Sequence, residues 1–137
     1  MAEPKTKPTG ASVEDFLAAA PANRRDDARV LSRMLAEITG EAPVMWGPSI
    51  VGFGTYRQRY ASGRTGDWPV VGFSPRNASL VLYVSREFDG ADALLARLGP
   101  HEVTKACLYV KRLSALDLGV LRELITRGVA TMADVRA

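Results

Sequence analysis

Apolar and polar positions in this chain follow a helical period first, an alternating period in the middle, and a mixture at the end. Ser12 stands ahead of Val13, Phe16 and Leu17, with Glu14 and Asp15 in the first turn. That arrangement predicts a short helix with a hydroxyl N-cap and a favourable dipole. Pro21 marks a break, and Asn23, Asp26 and Asp27 are candidate caps for a second helix. Its apolar stripe is Leu31, Met34, Leu35 and Ile38, and Gly40 supplies the stop.

From Val44 the period shortens. Residues 50–60 read as one long strand, or as two strands joined at a glycine kink; 68–74 and 78–84 read as further strands. Residues 61–67 and 75–77 are the expected loops. Such short connections predict an antiparallel meander. Asp89 is the expected cap of a helix through Ala93, Leu94, Leu95 and Leu98, ending at Gly99-Pro100. Residues 106–111 read as another strand. Ser114 and Asp117 have capping-box spacing ahead of a last helix through Val120, Leu121, Leu124, Ile125, Val129 and Met132. The expected fold class is α+β, an antiparallel sheet packed by helices on one face. The other face is expected to be partly open or covered by a second subunit.

The chain has 137 residues, and 47% are apolar. That is enough for one folded domain and too little for two ordinary ones. The expected organisation is a flexible lead over residues 1–12 and a single domain over 13–137. No apolar run approaches the roughly 20 residues needed to cross a bilayer, and the lead lacks the apolar middle of a secretory signal. The expected location is the cytoplasm. One cysteine, Cys107, excludes an internal disulfide framework and a thiolate zinc cluster.

Strand parity places Ile50, Gly52, Gly54, Tyr56, Gln58 and Tyr60 on one face, and Gly72 on the face of Trp68 and Val70. Glycine inside a strand marks close approach by another backbone or a ligand. Gly52, Gly54 and Gly72 therefore predict a trough walled by Trp46, Tyr56, Tyr60 and Trp68. Its expected occupant is either a docked helix or a small ligand, with Arg64 and Asp67 orienting the ligand.

Catalytic templates are approached and missed. Gly47-Pro48-Ser49-Ile50-Val51 lacks the second glycine of a nucleophile elbow. The run from Gly52 to Arg57 lacks the third glycine of a dinucleotide fingerprint, and Gly47 with Gly52 lacks the phosphate-loop lysine. His101, the one histidine, sits in a Gly-Pro-His turn and is expected to be an exposed loop residue. Cys107 lies in an apolar strand and is expected to be a buried small hydrophobe. No motif calls for a cofactor, and no residue is assigned to metal binding or catalysis.

Three long blocks, in order, resemble the YdhG-like domains. The first is Met45-Trp46-Gly47-Pro48-Ser49-Ile50-Val51-Gly52-Phe53-Gly54. The second is Tyr56, followed by Tyr60-Ala61-Ser62-Gly63-Arg64-Thr65-Gly66-Asp67-Trp68-Pro69-Val70-Val71-Gly72-Phe73-Ser74-Pro75-Arg76. The third is Lys105-Ala106-Cys107-Leu108-Tyr109-Val110-Lys111-Arg112-Leu113. The resemblance implies a small bacterial α+β domain with a curved antiparallel sheet packed by helices, and one branch of the family is described as frataxin-like iron chaperones. Iron would need oxygen or imidazole donors. Asp26 and Asp27, flanked by Arg24, Arg25 and Arg29, are the nearest approach to an acidic cluster.

The expected function is a non-enzymatic module that binds a small anionic or aromatic ligand through Trp46, Gly52, Gly54, Tyr56, Tyr60, Arg64, Asp67, Trp68 and Gly72. The alternatives are an iron chaperone and an enzyme with an unfamiliar site at Tyr60, Arg64 and Asp67. Nucleic acid is disfavoured, because Arg57 and Arg59 alternate with Tyr56 and Tyr60 and so face the other way. An open sheet face or edge strand would favour a symmetric homodimer.

Overall fold

The computed structural model describes residues 10–47, 49–59, 65–104 and 107–132, with the backbone alone described at 56–59 and 65–67. Most of the expected lead, residues 1–9, lies outside them. Ser12 Oγ accepts a hydrogen bond from Asp15 N at 3.1 Å and opens α1, Val13–Ala18. Helix α2, Ala22–Thr39, buries Leu31, Met34 and Leu35 along the expected stripe. Its N-cap is Pro21, with no side-chain cap, so Asn23 stands inside the helix rather than capping it. Gly40 ends it in a left-handed conformation, φ 70°, which costs an L side chain energy and glycine little.

Among the described residues eight strands follow the expected antiparallel logic: β1 Val44–Trp46, β2 Ile50–Phe53, β3 Tyr56–Arg59, β4 Thr65–Trp68, β5 Val71–Pro75, β6 Leu80–Tyr83, β7 Glu102–Val103 and β8 Leu108–Val110. Six of them form one sheet in the order β1-β2-β5-β6-β8-β7, and all its pairings are antiparallel. Among the described residues, strands β3 and β4 pair only with each other. The kink between β2 and β3 is Gly54, at φ +71°. It resolves the 50–60 segment into two strands in different sheets. The expected 68–74 strand is likewise broken, at Pro69-Val70. Thr65, Gly66 and Asp67 lie in β4 rather than in the expected loop.

Helix α3, Ala91–Leu98, has Gly90 at its N-cap without a side-chain bond, so Asp89 does not cap it. A short 3-10 turn, Leu113–Ala115, contains Ser114 and precedes α4, Leu118–Ala130. Asp117 Oδ1 accepts from Val120 N at 3.1 Å. Asp117 is therefore itself the N-cap, and the Ser114–Asp117 capping box does not form.

Helix α2 packs on β2 and β5, and α4 packs on α2 and α3. Val51, Phe53, Val71, Phe73, Leu80, Leu82, Leu108 and Val110 enter the core from the helix side of the sheet. Burying these side chains supplies most of the fold's stabilisation, at about 25 cal/mol per Å² of apolar area. The opposite face carries Gly52, Gly72, Ser74, Val81, Tyr83 and Tyr109, in register across the strands. Among the described residues no helix is long and apolar enough to cross a membrane.

Candidate functional site

The glycine trough is occupied, and its occupant is an indole rather than a helix or a ligand. Gly52 pairs with Gly72 across β2 and β5, and with Val44 across β1 and β2. A methyl group at Gly52 would lie 2.6 Å from Trp46 Nε1 and 2.8 Å from Pro69 Cβ. Trp46 is only 1% exposed. Its ring therefore fills the space over Gly52 instead of walling an open pocket. Gly54 does not continue the track: its missing side chain would meet Val70, a core residue, at 3.1 Å. At Gly72 the close neighbour is backbone, Val51 O at 2.8 Å. These contacts correct the expected ligand site at Trp46, Gly52 and Gly54.

Trp68 is half-buried at the end of β4, with Tyr56 opposite it in register. The side chains of Tyr56 and Asp67, and the whole of Tyr60 and Arg64, lie outside the described residues.

A different concavity lies at one end of the main sheet. Strands β5 and β8 both run antiparallel to β6. They are therefore parallel to each other, and their C-terminal ends meet the same edge. Arg76 leaves β5 there, and Lys111 and Arg112 leave β8. Together with Val81, Tyr109 and His101 they line a groove of about 740 Å³, with Glu102 on its rim as the one acid among the lining residues. That volume falls within the usual range for small-molecule sites. None of the three cations is ion-paired to a described residue.

Helix α2 anchors the segments that carry these cations. Arg24 is 6% exposed. Its guanidinium donates to Lys111 O at 2.6 Å, Ala78 O at 3.0 Å, and Asn77 O and Arg76 O at 3.3 Å. Three residues on, Asp27 Oδ2 accepts from Leu113 N at 3.0 Å. Asp27 thus caps the turn after Arg112 through one carboxylate oxygen. Among the described residues no three His, Cys, Asp or Glu side chains gather as a metal site. The buried Arg24 charge adds to the positive potential at this end of the sheet.

Arg76 Nη2 donates to the Tyr83 hydroxyl at 2.9 Å. Burial pushes the Tyr83 phenol above its ordinary value of 10.0, and the Arg76 charge and hydrogen bond oppose that rise. His101 is half-buried rather than exposed, and it lines the groove. Its Nδ1 lies 2.7 Å from Gly99 O. A carbonyl only accepts, so Nδ1 carries a proton there. Cys107 is half-buried rather than fully buried.

No sequence motif singles out Arg76, Lys111 or Arg112. The available signal was positional. Basic residues directly follow two strands that flank a common antiparallel neighbour, which brings them together.

No family model, no curated protein and no solved structure matches this chain.

Proposed function

We propose that this chain is a non-enzymatic, YdhG-like binding module that holds a small anionic ligand in the groove at the end of the sheet. The family part of the proposal rests on the three sequence blocks at residues 45–54, 56–76 and 105–113. The functional part rests on one observation: Arg76, Lys111 and Arg112 converge on one groove without described acidic partners. Unpaired guanidinium and ammonium groups beside a concave, partly apolar wall suit a carboxylate or phosphate. Tyr109 and Val81 give that ligand an apolar surface to lie against.

The test is a thermal-shift and calorimetric titration with inorganic phosphate and with succinate at low ionic strength. A ligand of the folded state raises the unfolding temperature. The wild-type midpoint is expected to rise with at least one probe, and the rise to shrink as salt is added. Replacing Lys111 and Arg112 together by Ala is expected to weaken binding by about tenfold or more. No rise with either probe, or an equal rise in the double variant, overturns the assignment.

A further inference from the structure

Four outward residues form one rung across the sheet: Ser74 on β5 pairs with Val81 on β6, Val81 with Tyr109 on β8, and Tyr109 with Glu102 on β7. Val81, Tyr109 and Glu102 line the groove. Ser74, the fourth member, does not. It is 1% exposed, and its Oγ has no hydrogen-bond partner among the described residues. Leaving a buried hydroxyl unpaired is unfavourable, and such a group in a folded protein calls for an explanation.

The neighbouring rungs place a hydrogen bond across it. Gly72 pairs with Tyr83 on one side of the Ser74 rung, and Arg76 N donates to Ser79 O on the other, at 2.9 Å. The hydrogen bond from Arg76 to the Tyr83 hydroxyl therefore reaches from one flanking rung to the other, over Ser74 and Val81. The guanidinium half of that bond belongs to an exposed side chain that lines the groove.

We propose that Ser74 is a concealed ligand-binding hydroxyl, and that the Arg76–Tyr83 hydrogen bond is the latch over it. The ligand's oxyanion draws the Arg76 guanidinium off Tyr83, and Ser74 Oγ donates to the part of the ligand that enters beneath. This rests on the anion-binding reading of the groove and adds the ligand's mode of entry. A charged acceptor favours the exchange, because a guanidinium bonds an oxyanion more strongly than it bonds a neutral phenol. The free protein carries the unfavourable hydroxyl, and the bound protein satisfies it.

Two variants and a spectroscopic signature test the proposal in the full chain. Ser74→Ala is expected to raise the unfolding temperature of the free protein by about 3 °C, by removing an unpaired buried group. The same change is expected to weaken the better of the two probes, inorganic phosphate or succinate, by about tenfold. The probe that binds tells a phosphate site from a carboxylate site. In protein labelled with 13C at tyrosine Cζ, the Tyr83 signal is assigned by Tyr83→Phe. Saturating probe is expected to move it towards its position in Arg76→Gln.

If the probe binds wild type and Ser74→Ala equally, or the Tyr83 signal stays in place at saturation, the latch is overturned while the groove assignment stands. If neither probe binds wild type, both are overturned.

Discussion

At the scale of single residues, Gly52 was legible as a point of close approach, but the approaching group was not. The alternation that singles out Gly52 begins at Ile50, whereas its neighbour Trp46 lies in a three-residue strand too short to announce itself. Once β1 pairs with β2, Trp46 sits diagonally across from Gly52, within reach of a large ring. Glycine in a strand is then explained by an indole packed close against it. Gly52→Ala is expected to destabilise the fold by about 2 kcal/mol, through overpacking against Trp46 and Pro69. Urea unfolding measures the loss, and a red shift of tryptophan emission reports the displaced ring. An open hollow would give the opposite sign, because Ala restricts the unfolded chain more than Gly does. Unchanged or increased stability would therefore restore the trough as a candidate pocket.

At the scale of elements, the long amphipathic stretches were readable and the boundaries less so. Leu31, Met34 and Leu35 in α2, and Val120, Leu121, Leu124 and Ile125 in α4, are buried as their spacing requires. Caps demand register to a single residue. Asn23 and Asp89 fail as caps because their helices take Pro21 and Gly90 as the flanking positions. Strand β7 escaped notice because two residues carry no periodicity. Packing also overrides propensity within α4. Gly128 is buried there, although Ala favours a helix interior by about 1 kcal/mol. A methyl group at Gly128 would press into the Ser85 carbonyl and lie 2.8 Å from Val84 Cγ2. Backbone cannot swing aside as a flexible side chain can. Gly128→Ala is therefore expected to lose about 2 kcal/mol net in urea unfolding. A gain would mean that α4 rides loosely on the segment that follows β6.

At the scale of the whole molecule, the helical layer and the groove are tied through one side chain. Arg24 reaches from α2 to carbonyls of two chain segments, 76–78 and 111, and those segments carry Arg76 and Lys111 into the groove. No sequence motif marks this role, since an arginine three residues into a helix is ordinarily solvated. Only the topology, which brings the ends of β5 and β8 together over the start of α2, makes it a hub. Arg24→Met keeps much of the apolar stem and leaves those carbonyls without the guanidinium, two of them at 3.0 Å or less. The expected loss is about 3 kcal/mol in urea unfolding. Lys has one point charge and no planar fork, so Arg24→Lys is expected to recover only part of it. If the groove binds an anion and α2 holds its walls, Arg24→Met should also weaken inorganic phosphate severalfold, under conditions where the variant is fully folded. Calorimetry on folded variant protein separates the two effects. A variant that loses stability yet binds phosphate as wild type does would show that Arg24 braces the fold alone, and that the groove's cations hold their positions without it.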